Sequence, residues 1–255
     1  MNKPMKNTMV PKMLLLAHVG LACPALAGSP FVTDDPEPVD FQHLEINTAA
    51  QGAYRDHGRS GAFPNVDANY GVAPDVQAHI GLALPFQKAG GGATHYGYGD
   101  TELGVKYRFI DEDDEGWRPQ MAIYPNVELA TGNAKSDLGS GYTRAFLPLW
   151  LQKSFGDWTT YGGGGYWLNK HADNRDYWFG GLVLQRKIND TLSLGTEIFE
   201  QGKDSANDKI TAGFNIGGVF DIDDINHILF SAGTGLLNRN ESNLFSYYIG
   251  YQAKL

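Results

Sequence analysis

The chain lacks most of what holds small exported proteins together. One of its 255 residues is cysteine, Cys23, so no disulfide can form within it, whereas small secreted domains usually depend on several. No apolar run approaches the roughly 18–20 residues of a membrane helix. Basic residues number 20 against 29 acids, for a net charge of −9. That balance argues against nucleic acid as a partner, which wants a basic face. Catalytic signatures are missing too. There is no Gly-x-Ser-x-Gly elbow, and no strand carries His and Ser as neighbours, or two apart, on an apolar face. Gly162–Gly165 has neither the lysine of a phosphate loop nor a following helix. Asp111-Glu-Asp-Asp-Glu-Gly116 begins like a calcium loop, but Ala122 stands where its last glutamate belongs, and strands flank it in place of helices. It reads as a solvated acidic turn, and so does Asp221–Asp224. His43, His79 and His227 are isolated in sequence and read as interior hydrogen-bonding groups. No catalytic set, no cofactor and no metal site is expected.

What is present begins with a targeting segment. Lys3, Lys6 and Lys12 form a basic start without acids, Met13–Ala22 is a short apolar stretch, and Ala25-Leu-Ala27 is a small-residue cleavage site. Residues 1–27 therefore read as a signal peptide, cleaved before Gly28. Pro24 and the short apolar stretch argue against an anchor, and Gly20 replaces the aliphatic residue that a lipid-modified Cys23 would need. Removing three lysines takes the net charge of the rest from −9 to −12.

Residues 28–40 form an extended acidic leader, in which Pro30, Pro36 and Pro38 prevent regular structure. Its composition does not say whether it hangs free or enters an interior. From residue 41 to 255 the period is two. In Gly99–Phe109, Leu103, Val105, Tyr107 and Phe109 alternate with Asp100, Glu102, Lys106 and Arg108. The same alternation recurs in His43–Gln51, Asn65–Val72, Val76–Leu84, Gln120–Leu129, Thr143–Phe155, Thr159–Trp167, Tyr177–Lys187, Leu192–Phe199, Lys209–Phe220, His227–Thr234 and Asn243–Leu255. Tight turns are expected at Ala73-Pro-Asp75 and Phe155-Gly-Asp-Trp158.

Twelve strands, short connections after the even ones and longer ones after most odd ones predict an all-β, antiparallel transmembrane barrel with both ends periplasmic. The rival is a soluble sandwich of exported type. Glycine at 32 residues and aromatics at 12% favour the barrel. Tyr70, Tyr107, Phe109, Phe155, Trp158, Phe220 and Tyr251 gather at the turn ends of strands. Phe86, Trp178 and Phe245 gather at the loop ends. Two aromatic belts are what anchoring at two membrane interfaces requires. Pro125 and Pro148, inside strands five and six, should each mark a bulge or a broken ladder.

Several stretches carry a family resemblance. Pro30–Val39, Tyr96–Phe109, Leu147-Pro-Leu-Trp-Leu-Gln-Lys-Ser-Phe-Gly156 and Trp158-Thr-Thr-Tyr-Gly-Gly-Gly-Gly-Tyr-Trp167 resemble outer-membrane proteins labelled as transporters of the phenol meta-pathway family. The resemblance implies an outer-membrane barrel that takes up aromatic or other small compounds. It supplies no catalytic motif.

The alternating pattern assigns an inward set: Glu45, Asn47, Asn65, Asp67, Asn69, Gln77, His79, Asp100, Glu102, Lys106, Arg108, Tyr124, Asn126, Glu128, Arg144, Trp150, Gln152, Gln185 and Glu197. Such a set either lines a selective path or fills the barrel as a salt-bridged pillar. Asp100 and Glu102 are expected to meet Lys106, Arg108 and Arg144 in a charge belt, with Glu45, Asp67, Glu128 and Glu197 keeping the interior acidic. The glycines at 162–165 are expected to make room for Trp150. The functional expectation is passive uptake of small solutes, with outer-membrane lipid, the solute and the barrel-assembly machinery as partners. A structural or adhesive barrel with a closed lumen and a lipid-modifying enzyme are the alternatives.

Overall fold

The computed structural model describes residues 28–113 and 115–255. The signal peptide and the residues around Cys23 lie outside the described residues. Twelve strands form the wall: β1 Leu44–Arg55, β2 Gly58–Ala73, β3 Val76–Ala89, β4 Thr101–Ile110, β5 in two pieces, Gln120–Ile123 and Asn126–Leu129, β6 Arg144–Phe155, β7 Trp158–Leu168, β8 Tyr177–Asn189, β9 Leu192–Gln201, β10 Thr211–Asp221, β11 Asn226–Leu237 and β12 Phe245–Lys254. Each pairs antiparallel with its sequence neighbours, and β12 returns to β1 in the register Asn47↔Gln252. The ring is closed at the rim by Leu44 N donating to Leu255 O and Leu255 N to Leu44 O, both at 2.8 Å. Closure leaves no strand edge, which is the condition for sheet to exist in lipid. No helix among the described residues is long and apolar enough to cross a membrane.

Alternation decides which face meets which solvent. Along β4, Leu103, Val105, Tyr107 and Phe109 are exposed, whereas Glu102 and Lys106 are buried. A soluble sandwich would show the reverse. With an apolar outside and a polar inside, the chain is a transmembrane barrel of outer-membrane type. Aromatics ring both ends: Tyr70, Tyr107, Trp158, Phe220 and Tyr251 are exposed near the short turns, and Trp178 and Phe245 near the loops. The turns follow local chemistry. Asp75 takes φ 61° between β2 and β3, a left-handed geometry that Asp tolerates. Gly156 takes φ 61° between β6 and β7.

Three details differ from the sequence expectation. The first odd-numbered connection is a tight turn at Asp56–His57, because β1 and β2 continue past residues 51 and 65 to the register Tyr54↔Arg59. Glycines at 52, 58 and 61 hide that continuation from any hydrophobic pattern. Next, β3 runs on past its expected end at Leu84 to Ala89, and Thr94–Tyr96 folds back on it as a short strand, so much of the connection expected before Gly99 is hairpin. Finally, the two prolines make one defect between them. β5 breaks at Tyr124–Pro125, yet β6 runs unbroken through Pro148. Tyr124 N donates to Pro148 O at 3.3 Å, but Pro148 has no N–H to return, so the neighbouring strand takes the irregularity.

Candidate functional site: a polarised lumen with the leader inside

Inward side chains sort by side of the barrel. β1 to β4 contribute amides, carboxylates and one imidazole: Asn47, Asn65, Asp67, Asn69, Gln77, His79 and Glu102 are all buried. β5 to β8 contribute rings: Tyr124, Phe146, Trp150, Trp167, Tyr177 and Phe179 form one buried cluster. Phe146 stacks on Trp167 with centroids 4.9 Å apart, and Arg144 lies 4.7 Å over the same indole. The rings fit because their neighbours are small. A Cβ on Gly163 would stand 3.2 Å from the Trp150 ring and 2.1 Å from Leu149 O, so the glycines do give Trp150 its room.

The polar side is a network of acceptors. Glu45, half-buried, accepts from Asn47 Nδ2 (3.2 Å) and Asn69 Nδ2 (3.4 Å). Asn69 Oδ1 accepts from Gln77 Nε2 at 2.9 Å and lies 2.8 Å from His79 Nδ1. As an acceptor it places the imidazole proton on Nδ1. Nε2 lies 3.6 Å from Glu102 Oε1 and 3.9 Å from Asp67 Oδ1. Among the described residues no group of three or more His, Cys, Asp or Glu is arranged to hold a metal ion.

The leader occupies the space between the two sides. It enters at the periplasmic rim, where Phe41 bridges Gly71, and Val39 N donates to Gln77 Oε1 at 2.9 Å. Lys106 Nζ donates to Asp34 Oδ1 at 3.1 Å and to Glu37 O at 3.3 Å, and lies 3.6 Å from Asp35. Val32 N and Thr33 N both donate to the Glu197 carboxylate, at 3.2 and 2.5 Å. Val32 packs on the aromatic cluster, and Phe31 is buried against Tyr161 and Val183. The far end is held by Ser231 Oγ donating to Pro30 O at 2.6 Å and Tyr248 OH to Ser29 Oγ at 2.9 Å. Tyr248 lies seven residues before the chain end, roughly 17 Å above the rim for a tilted strand. Side chains from β3, β4, β9, β11 and β12 thus hold the leader from the rim up to mid-lumen.

Charges pair differently from the expected belt. Asp100 sits in the loop end, half-buried, and accepts from Gly132 N (2.9 Å) and from Ser140 N and Oγ (both 2.6 Å). Arg108 binds Asp75 and Asp111 at the periplasmic turns. Arg144 pairs with Glu128 across adjacent strands at 2.5 Å. Lys106 is committed to the leader. Buried Asn126 is paired in register with Gly104 and Phe146. Gln152 and Gln185 are half-buried, in register with Gln120 and Thr159. His43 is exposed at the rim, with Nδ1 3.2 Å from Phe41 O; it stands one residue before β1 and outside the lumen. His227 is buried beside Asp221 at 2.6 Å.

Other residues escaped the sequence reading. Tyr161, Trp167, Tyr177 and Phe179 face inward, a fact the glycines of β7 and β8 concealed. Lys153 pairs with Glu112 at 3.0 Å, so the acidic turn after β4 folds against the periplasmic mouth. The leader's own ligands, Phe31, Thr33 and Asp34, have no periodicity to betray them.

No family model and no curated protein matches the chain. Among solved structures, the COG4313 outer membrane channel from Pseudomonas putida F1 superposes with a TM-score of 0.74 over 87% of this chain and 98% of that one, at 13% identity. The NanC porin gives 0.56 over 83% and 100%, at 13% identity. The translocator domain of the autotransporter NalP from Neisseria meningitidis gives 0.51 over 83% and 87%, at 12% identity. Likeness at this level of identity concerns the fold, and the fold is that of the bacterial outer membrane.

Proposed function

We propose that the barrel is an outer-membrane channel for passive uptake of small solutes, including aromatic or hydrophobic ones, and that residues 29–40 are its plug. The observation that carries the reading is the docked leader. It is bound by hydrogen bonds and ion pairs to β3, β4, β9, β11 and β12 and by packing to the rings of β5 to β8, and with residues 1–27 removed it is joined covalently only at the rim. A filler with purely structural purpose could come from the wall itself, as in small barrels whose interiors side chains fill. A tethered segment can leave without unfolding any strand. Behind it would open a passage with amides and carboxylates on one side and six rings on the other, chemistry suited to small molecules with an apolar body and a polar tip. The resemblance to phenol-pathway transporters and the fold shared with the COG4313 channel point the same way.

Liposome swelling with solutes of graded size and hydrophobicity tests this, using the full mature chain and a version without residues 29–40. Faster entry through the shortened form supports a plugged channel. If neither form speeds any solute over empty liposomes, the channel reading fails and a closed structural or adhesive barrel takes its place.

A further inference from the structure

The outer wall has its own built feature, on the lipid side near the loop end. Strand register sets five outward positions in one lateral row: Tyr247, Gly52, Gly61, Phe86 and Tyr96. Two glycines therefore sit side by side between aromatic neighbours, in a belt where side chains normally project. The rings lean inward over them. A Cβ on Gly52 would lie 3.0 Å from the Tyr247 ring, and one on Gly61 would lie 2.7 Å from the Phe86 ring. Between the two sets of rings runs a cleft of about 530 Å³, lined by Gly52, Tyr54, Phe63, Phe86, Tyr96 and Tyr247, with Arg59 at its edge. Phe63 and Tyr96 are tied together by Tyr96 OH donating to Phe63 O at 2.8 Å.

Depth in the membrane identifies the occupant. Tyr54 stands ten residues beyond Leu44, roughly 25 Å up a tilted strand, which is the height of the apolar band. The next row toward the loops is Phe245, Tyr54, Arg59, Lys88 and Thr94. Two cations thus stand at headgroup level directly above an aromatic cleft at acyl-chain level. No carboxylate lines the cleft. Long loops face outward from the cell in such barrels, so the leaflet at this height is the outer one. Its lipid is a phosphorylated, acylated disaccharide.

We propose that this cleft binds one molecule of that glycolipid, its phosphate on Arg59 and Lys88 and an acyl chain between Tyr247 and Phe86. A phosphate has the charge for the two cations and a chain has the width for the cleft. Thr94 at the margin can meet a sugar hydroxyl.

Native mass spectrometry of the purified full mature barrel tests the proposal, with added lipid A in one arm and phosphatidylglycerol in the other. One lipid A per barrel should survive the detergent stripping that removes other lipid. Arg59→Glu should cut its occupancy at least tenfold, and Gly52→Leu, which fills the cleft floor, should do the same. Phe63→Ser serves where Gly52→Leu lowers folded yield, as read by heat-modifiable gel migration. Arg186→Glu, beside Trp158 at the opposite belt, should change nothing. Equal retention of phosphatidylglycerol, or unchanged lipid A occupancy in Arg59→Glu, overturns the assignment.

Discussion

Truncating Phe31 is the sharpest test of a leader that plugs. Phe31 is 2% exposed and packs on Tyr161 and Val183, with its ring near Gly195, where an added Cβ would come within 3.2 Å. Phe31→Ala removes the ring from the leader and leaves every wall strand unaltered, so barrel assembly should be unaffected. Losing a buried phenyl and leaving a partly relaxed cavity costs about 2–4 kcal/mol. At about 1.4 kcal/mol per tenfold, the ratio of docked to undocked leader should fall about 30- to 700-fold. Single-channel recording in a planar bilayer reads this directly. The full chain should show rare openings, Phe31→Ala more frequent or longer ones of equal conductance, and the form lacking residues 29–40 a continuous open level. Equal conductance matters, because the open pore is the same in all three. If the shortened form shows no open level, or if Phe31→Ala opens to a different level, the leader is not a plug over a preformed path.

Other expectations follow from single contacts. Glu197→Gln keeps the shape but takes the charge from the acceptor of Val32 N and Thr33 N; charged hydrogen bonds are worth about 1.5–3 kcal/mol, so opening should rise about tenfold or more in the same recordings. Glu102→Lys in the shortened form should move the reversal potential toward anions, whereas Glu128→Lys should lower folded yield, because it leaves Arg144 facing a like charge in the pair now formed at 2.5 Å. Gly163→Val should reduce heat-modifiable folded protein, since its Cβ would overlap Leu149 O at 2.1 Å. In the loop after β9, burial and the adjacent Asp208 carboxyl push Asp204 up to about 7 from 3.8. The folded loop therefore binds that proton more tightly than the open one. Its contribution to loop stability is complete below about pH 4 and is lost as pH rises through about 7. Amide exchange at Arg175 and Ala206, whose N–H groups bond to Asp204 O and Asp173 O, should quicken across that range beyond the intrinsic rise, and Asp204→Asn should remove the excess.

The wall was legible in the sequence because a strand in lipid obeys a local rule. Each residue faces either hydrocarbon or the interior, and the choice repeats every two positions. Leu103, Val105 and Tyr107 against Glu102 and Lys106 state that rule within one strand, and twelve such strands state the barrel. Inward assignments at Asp67, His79, Lys106, Trp150 and Glu197 came from the same period. The rule weakens where a side chain is missing, and so the glycines of β1, β2, β7 and β8 hid a long hairpin and half of the aromatic cluster. It does not reach partners at all. Lys106 was expected to meet Asp100 or Glu102, but Asp100 is held by the loop at Gly132 and Ser140, Glu102 lies beside His79, and Asp34, 72 residues away, reaches Lys106 from the leader. The same holds for Glu197 with Thr33 and for Tyr248 with Ser29. Periodicity is a property of one strand and its solvent, whereas a pairing across a lumen is set by closure of the whole ring. Only the closed tertiary structure could decide that residues 28–40 lie inside it.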